Sequence, residues 1–187
     1  MKTKHVIIIL LALILAALIL ILIKPEIGLF KFREPEKSED CSGRPYYTDA
    51  MHLRASGRGQ SVDANTARRM ALMNARTFLA EHQGELVTEV LMDYMMERDD
   101  TDEEMLHRYN KIGNHFGGSV TSAVICEHET QLENGAFLIK VVIEATGSTL
   151  FEQLDRHMRL DEVIVSSYDR ELLEKIFYKT LRDFAGL

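Results

Sequence analysis

The stretch LRASGRGQSVDANTARRMALMNARTFL, residues 53–79, decides the fold of this chain. Apolar and polar residues alternate at its start, and this period of two predicts a first β-strand over residues 50–59. Gly57 and Gly59 flank a single arginine, which predicts a turn at the end of the strand. This pair lacks the third glycine of a dinucleotide-binding loop and the Lys-Ser or Lys-Thr of a phosphate-binding loop.

The second half of the stretch has the pattern of a helix that lies flat on a sheet. Asp63 can accept hydrogen bonds from the first turn, and the helix is predicted to run to about Gln83. Its apolar side chains form one stripe at helical spacing: Ala67, Ala71, Ala75, Phe78 and Leu79. Because alanine is small, the stripe lets the helix approach a sheet closely. Gly84 is predicted to end the helix.

Two more helices are predicted between Gly84 and the next β-rich segment. Apolar residues recur at helical spacing over 86–95, and the acidic break ERDDTDEE follows them. Thr101 and Glu104 form a capping box that starts the third predicted helix. The Gly117–Gly118 pair is predicted to end it.

A β-hairpin is predicted over residues 119–145. Asn134 and Gly135 separate two β-rich runs, and this dipeptide favours a two-residue type I′ turn. The turn fixes the register, in which Glu129 lies directly across from Lys140. One face of the hairpin is then largely apolar and holds Val124, Cys126, His128, Thr130, Leu132, Phe137, Ile139, Val141, Ile143 and Ala145.

The C-terminal part predicts two helices and a short strand. Residues 148–159 have a helical pattern, Val163–Val165 is predicted as a short strand, and Ser166 or Ser167 is predicted to cap a final helix. The whole pattern predicts an α+β domain, with an antiparallel sheet of three to four strands and helices packed mainly on one face.

An unbroken apolar run, VIIILLALILAALILILI, extends from Val6 through Leu15 to Ile23. At 1.5 Å per residue it nearly crosses a hydrocarbon core of about 30 Å. It is longer than the apolar core of a cleaved signal peptide, which has about 7–15 residues, and no A-x-A cleavage pattern follows it. We predict one uncleaved transmembrane helix, a signal anchor, in front of the α+β domain.

This anchor, residues 6–23, divides the remaining chain into three segments. Residues 1–5 are expected in the cytoplasm, because short basic N-termini usually stay inside. Residues 24–48 hold all three prolines of the chain and are predicted to form a flexible tether. Residues 49–187 form a single α+β domain on the outer side of the membrane. Basic residues also follow the anchor, so the reverse orientation stays open.

The charge of the chain restricts its partners. Three of the 22 lysines and arginines flank the apolar run, which leaves 19 basic against 29 acidic residues, a net charge of −10. An acidic surface repels phosphates and anionic lipid. We therefore expect no nucleic-acid binding, attachment to the lipid bilayer through residues 6–23, and protein partners or a second copy of the chain.

No catalytic, cofactor-binding or metal site is predicted. Two cysteines, Cys41 and Cys126, are too few for a disulfide scaffold or a four-ligand zinc site. Neighbours in a strand point to opposite faces, so Glu127 and Glu129 cannot join His128 around a metal ion. We interpret Cys126 as a buried thiol and His128 as a partly buried side chain.

Four arginines near the first strand and helix are the candidate contacts for a protein partner: Arg54, Arg58, Arg68 and Arg69. They cluster around the predicted first strand, its turn and the first helix, where they could make polar contacts with a partner. Sheet edges are the second candidate surface, since they expose unpaired backbone groups. A solvated helix face without a partner is the alternative interpretation of the arginines.

The residues from Leu53 to Leu79 resemble a known family. A strand, Gly-x-Gly, a short acidic gap and an Ala-rich helix are similar to the small bacterial envelope lipoproteins that share a domain with the N-terminal part of the flagellar assembly protein T. The resemblance implies an envelope location, an assembly or scaffold role and no established catalysis. This chain lacks the lipidated cysteine and inserts helical residues 86–116 before its hairpin, so a flagellar role does not carry over.

The sequence therefore predicts a membrane-anchored, non-enzymatic interaction or scaffold module of a bacterial envelope assembly. It is expected in the bacterial inner membrane as a single-pass protein with its C-terminal domain in the periplasm and without a cofactor. A small-ligand-binding domain of the envelope is one alternative, and it requires a cavity between sheet and helices. A hydrolase or redox enzyme is another, and it requires an exposed Cys126 with a base within reach.

Overall fold

The structure, a computed structural model, describes residues 39–99, 102–116 and 121–187, apart from the side chain of His115. The predicted anchor at 6–23 and the larger part of the predicted tether lie outside these residues. Within the described ranges, none of the helices combines the length and the apolar composition that a membrane crossing needs.

The described residues form an α+β fold, as predicted. Three strands and four helices follow one another in the order β1 (His52–Ser61), α1 (Ala64–Glu97), α2 (Glu103–Phe116), β2 (Ala123–Gln131), β3 (Phe137–Thr146), α3 (Gly147–Leu160) and α4 (Arg170–Phe184). Two 3-10 turns, Arg44–Tyr46 and Ile164–Ser166, precede β1 and α4.

The strands form one antiparallel sheet in the order β1-β3-β2. The central strand β3 carries the apolar residues predicted for it, and Ile139, Val141 and Ile143 are buried. The inner face of the sheet is defined here as the face that these residues share with Leu53 and Ala55 of β1, and the other face is the outer face.

The hairpin between β2 and β3 forms where predicted, but its turn and register differ from the prediction. The amide of Gly135 donates to Leu132 O at 2.9 Å, and the amide of Leu132 donates to Ala136 O at 2.8 Å. Gly135 has φ 80°, whereas Asn134 does not have a positive φ. The loop therefore has three residues, a type I turn closed by a glycine bulge, instead of the two-residue type I′ turn.

This extra loop residue shifts the pairing by one position. Glu129 lies across from Ile139, and Lys140 faces His128 instead of Glu129. Cys126 and His128 consequently lie on the outer face, so the predicted apolar face of β2 is wrong. A second irregularity between Val124 and Cys126 shifts the register again near the end of the strand.

Helix α1 is one continuous helix of 34 residues, so the predicted break at Gly84 is wrong. Asp63 caps it as predicted, accepting a hydrogen bond from Thr66 N at 2.8 Å. Residues on both sides of Gly84 are buried, including Gln83 and Leu86, and this packing outweighs the low helix propensity of one glycine. Phe78, predicted on the buried stripe, is 49% exposed.

Helix α1 lies against β1 at very short distance. Ala67, Ala71 and Ala75 are fully buried, as the alanine stripe predicted. Gly57 and Gly59 belong to β1 and face this stripe, so the predicted turn at these glycines is wrong. A Cβ atom on Gly57 would stand 2.1 Å from Ala71 O and 2.4 Å from Ala75 N, both backbone atoms.

The other helices are capped by aspartate or threonine side chains. Asp102 accepts from the amide of Glu104 at 2.6 Å and so caps α2, while Thr101 lies outside the described residues. Thr146 caps α3. Asp169 accepts from Leu172 N at 3.0 Å and caps α4, so the predicted serine caps are wrong.

The predicted strand at Val163–Val165 is also wrong. Asp161 accepts hydrogen bonds from Val163 N at 3.0 Å and Ile164 N at 3.1 Å, and these bonds hold the segment in a 3-10 turn. Ile164 is buried against the core.

The core lies between the inner face of the sheet and the helices. Its largest fully buried side chains are Tyr94, Phe116, Phe151 and Phe177. The hydroxyl of Tyr94 accepts a hydrogen bond from Asp169 N at 2.8 Å, which ties α1 to the start of α4. Aromatic rings therefore fill this space.

Candidate binding surface

A short segment crosses the outer face of the sheet, and we name residues 41–48 the strap. Cys41 forms a disulfide with Cys126 on β2, with a Cα–Cα distance of 5.7 Å. At its other end Thr48 reaches the open edge of β1 and accepts from Arg54 N at 3.1 Å. Val142 of β3, which pairs with both Ser56 and Cys126, is fully buried between these two ends.

The disulfide corrects the interpretation of Cys126 as a buried thiol. Both cysteines of the chain take part in it, and 85 positions separate them in sequence. It also fixes part of the predicted tether, because residues 41–48 lie on the domain. An even number of cysteines in a chain predicted to leave the cytoplasm was the signal available in the sequence.

An ion-pair network holds the strap beside β1. Arg54 Nη1 lies 2.8 Å from Asp49 Oδ2 and donates to Tyr47 O at 2.7 Å, while its Nε lies 2.7 Å from Glu144 Oε2. Partial burial by itself raises the pKa of the Asp49 carboxyl. Hydrogen bonds from Met51 N and from His52, with the charge of Arg54, outweigh this effect and lower that pKa below its ordinary value of 3.8.

The structure distributes the four candidate arginines over both sides of the sheet. Arg54 and Arg58 lie on the outer face, and the network of Asp49 and Glu144 already occupies Arg54, whose side chain is 11% exposed. Arg68 and Arg69 lie on α1, on the inner side. Arg68 pairs with Glu127 at 2.9 Å.

Arg69 of α1 donates to Thr66 Oγ1 at 3.2 Å. Of the four candidate arginines, Arg58 is therefore the one on the outer face that is exposed and has no ion pair to a described carboxylate.

A row of basic side chains crosses the outer face next to the strap. Arg58 of β1 pairs with Lys140 of β3, and Lys140 pairs with His128 of β2. We name these three residues the basic row. No carboxylate oxygen of the described ranges lies within ion-pair distance of Arg58 or Lys140, although the domain as a whole is acidic. Sequence reasoning missed this row because it placed Lys140 opposite Glu129.

A groove of about 490 Å³ runs between the strap, the open edge of β1, the middle of α1 and the C-terminal end of α4. We name it the edge groove. Its lining includes the side chains of Tyr46, Tyr47, Arg58, His82, Lys140 and Phe184. His82 Nδ1 is buried without a hydrogen-bond partner among the described atoms, and its ring packs edge-on against Phe184 at 5.9 Å.

The most enclosed charged cluster joins α3 to the start of α4. Asp155 is buried and accepts a 2.5 Å hydrogen bond from the hydroxyl of Tyr168. Burial, and then this hydrogen bond, raise the pKa of the Tyr168 hydroxyl far above its ordinary value of 10.0. Arg159 and Arg170 lie 3.1 and 3.5 Å from the same carboxylate. The cluster is an internal link between two helices.

Within residues 39–99, 102–116 and 121–187, no three His, Cys, Asp or Glu side chains come together as a metal-binding set. Comparisons of the chain with protein families, with curated proteins and with solved structures found no match. The fold and the surface define only a class of protein. It is an α+β module with a filled core against the inner face of its sheet, and the strap, the basic row and the edge groove lie on or beside the outer face.

Proposed function

We propose that this chain is a membrane-anchored, non-enzymatic interaction module of a bacterial envelope assembly. Residues 6–23 anchor it in the inner membrane, and the α+β domain lies in the periplasm. The observation that supports this location best is the Cys41–Cys126 disulfide. Disulfides persist in oxidising compartments and are rare in the bacterial cytoplasm.

The filled core favours an interaction role through the protein surface over a small-ligand site between the sheet and the helices. Drug-sized ligands occupy cavities of about 300–1,000 Å³. The described space between α1 and α2, lined by residues such as Thr88 and Asn110, holds about 50 Å³. The edge groove is larger, but it lies open along the edge of β1 and not between the sheet and the helices.

The disulfide also weighs against the enzyme alternative that depended on Cys126. A thiol nucleophile must be a free, ionisable sulfur. The sulfur of Cys126 is bonded to Cys41. A hydrolase with a cysteine nucleophile would therefore need other residues, and the described site offers backbone edges and basic side chains.

Location and topology can be tested in native cells. We expect the protein to resist carbonate extraction from inner membranes and to retain its own residues 1–23. We also expect both cysteines to react with a thiol label only after reduction. A matched control replaces residues 1–23 with a cleavable signal peptide and should be released in soluble form from the periplasm. Thiols labelled without reduction in freshly lysed cells would contradict the proposed location.

The interaction role needs its own experiment. A photo-crosslinking amino acid at Arg58 tests the outer face, and the same group at exposed Glu103 of α2 is the matched control. We expect discrete crosslinked envelope proteins from position 58 and few from position 103. Equal, diffuse crosslinking at both positions would contradict a defined partner surface.

A further inference from the structure

The open edge of β1 exposes backbone groups in a fixed direction. Arg54 N donates to the side chain of Thr48, away from β3, so Arg54 and Glu144 form a non-hydrogen-bonded pair of the antiparallel ladder. The direction alternates along a strand. The backbone N–H and C=O groups of Ser56 and Arg58 therefore also point away from β3, toward the edge groove.

At both ends of this open edge, backbone groups have hydrogen-bond partners within the protein, whereas the backbone groups in its middle have none among the described residues. Thr48 binds the backbone of Arg54, and Asn74 Nδ2 donates to Arg58 O at 2.8 Å. Between these contacts, Ser56 N–H, Ser56 C=O and Arg58 N–H have no partner among the described residues. A row of unpaired groups on an edge strand is a template for another strand.

The edge groove lies along this unpaired stretch. Ala55, Ser56 and Arg58 form one side of it, and Tyr46 and Tyr47 of the strap border it. An extended chain rises about 3.3 Å per residue, so a groove of this size accommodates a few residues of an added strand. Alternate side chains of that strand would lie on the outer face, beside the basic row.

Charge decides which strand fits. Arg58 and Lys140 stand directly opposite each other, and like charges in such a pair repel. Acidic side chains of an added strand would relieve this repulsion. A second copy of the chain, paired antiparallel about Ser56, would instead place Arg54 opposite the partner's Arg58 on both sides. The charge pattern therefore favours an acidic partner over self-association.

We propose that the edge of β1 from Ser56 to Arg58 binds an extended acidic segment of a partner protein as a fourth strand. The backbone of Ser56 makes two hydrogen bonds to it, and Arg58 N–H makes a third. Glutamate or aspartate at alternate positions of the segment faces Arg58 and Lys140. This inference rests on the proposed interaction role and specifies its surface and its partner chemistry.

A synthetic peptide can serve as the probe. Its glutamates alternate with valines over about eight residues, a usual strand length, and its ends are blocked. The protein is the full chain in lipid nanodiscs. We expect binding that slows amide hydrogen exchange at Ser56 and Arg58 at least about tenfold. The same peptide with N-methylated alternate amides, and a lysine-for-glutamate version, should bind at least about tenfold more weakly.

Three variants locate the binding on the protein. Arg58→Glu should weaken the glutamate peptide about tenfold or more and strengthen the lysine peptide, because it reverses the charge beside the edge. Ser56→Pro removes an outward-pointing donor, which an edge strand tolerates, and should abolish binding. Arg76→Glu, at an exposed position of α1 behind the sheet, is the matched control and should leave affinity unchanged.

The outcomes separate this inference from the proposed function. No binding by the glutamate peptide, or binding without slower exchange at Ser56 and Arg58, would overturn the added strand. Equal binding of the N-methylated peptide by the wild-type chain would also overturn it, whether or not Ser56→Pro folds. A concentration-dependent dimer that protects the same amides would assign the edge to a second copy. If envelope proteins crosslink to other positions of the domain but not to position 58, the interaction role is supported and the edge of β1 is not its binding site.

Discussion

The two faces of the three-stranded sheet differ in what holds them together. On the inner face, Gly57 and Gly59 let the backbone of α1 approach β1 so closely that a single added carbon would collide. On the outer face, a strap of eight residues is held by one disulfide and a few ion pairs, and basic side chains beside it remain exposed. The comparison indicates that close backbone packing holds the inner face, whereas one covalent link and a few ion pairs hold the strap on the outer face.

The strongest way to break the inner face is Gly57→Val. The new Cβ would meet Ala71 O and Ala75 N, and neither backbone atom can move without displacing α1. We expect a loss of about 3–5 kcal/mol or failure to fold, above the usual overpacking cost of about 1–3 kcal/mol because the clashes are with backbone atoms. Chemical denaturation measures the change. Ser56→Val, one residue away on the outer face, is the matched control and should change stability by less than about 0.5 kcal/mol.

The strongest way to break the outer face is to remove the disulfide with Cys41→Ser and Cys126→Ser. It closes a loop of 85 positions, and the chain-entropy relation gives about 4.5 kcal/mol as an upper estimate. We expect a lower Tm by calorimetry, with helices and sheet retained in circular dichroism. Reduction of the disulfide in the wild type should lower the Tm in the same way. An unchanged Tm after both the substitutions and the reduction would show that the strap contributes nothing to stability.

A substitution on the solvent side of α1 is expected to stabilise the protein, which sharpens the comparison. A Cβ on Gly84 would meet no atom within 4 Å, so Gly84→Ala should gain about 0.5–1 kcal/mol from helix propensity. Gly113→Ala in α2 is the matched control, because its Cβ would lie 3.2 Å from Thr88 Oγ1 and should gain less. Denaturation midpoints distinguish the two. A loss at position 84 would argue for a real helix break there.

The smallest expected effect is a pH dependence of the strap. The pKa of Asp49 is lowered in the folded protein, so its contribution is present above the unfolded pKa of about 4 and is lost as the pH falls through the lower folded value. The carboxylate is well exposed, so screening should keep the effect below about 1 kcal/mol.

Asp49→Asn should therefore lose less stability than the wild type between pH 5 and pH 3, measured by thermal unfolding. Glu103→Gln, on the exposed start of α2, is the control and should follow the wild type. Identical pH curves for wild type and Asp49→Asn would contradict the role given to this carboxylate.

Local patterns of the sequence determined most of the elements. The alanine stripe of α1, the Asp63 cap, the apolar face of β3 and the helix at 147–160 depend on spacings within one element, and the structure contains each of them. The α+β class followed from these patterns, because each apolar face must be buried against another element. The apolar run at 6–23 is equally local, and it remains a prediction.

Contacts between distant residues decided the rest, since no local spacing encodes them. Because both halves of α1 are packed against the core, the helix is continuous through Gly84. Gly57 and Gly59, which the sequence predicted as a turn, are strand residues that allow the close approach of α1. One additional loop residue at Gly135 moved Cys126 and His128 to the outer face. Only there could Cys126 meet Cys41 and could His128, Lys140 and Arg58 align, so the candidate surface is a product of the tertiary fold.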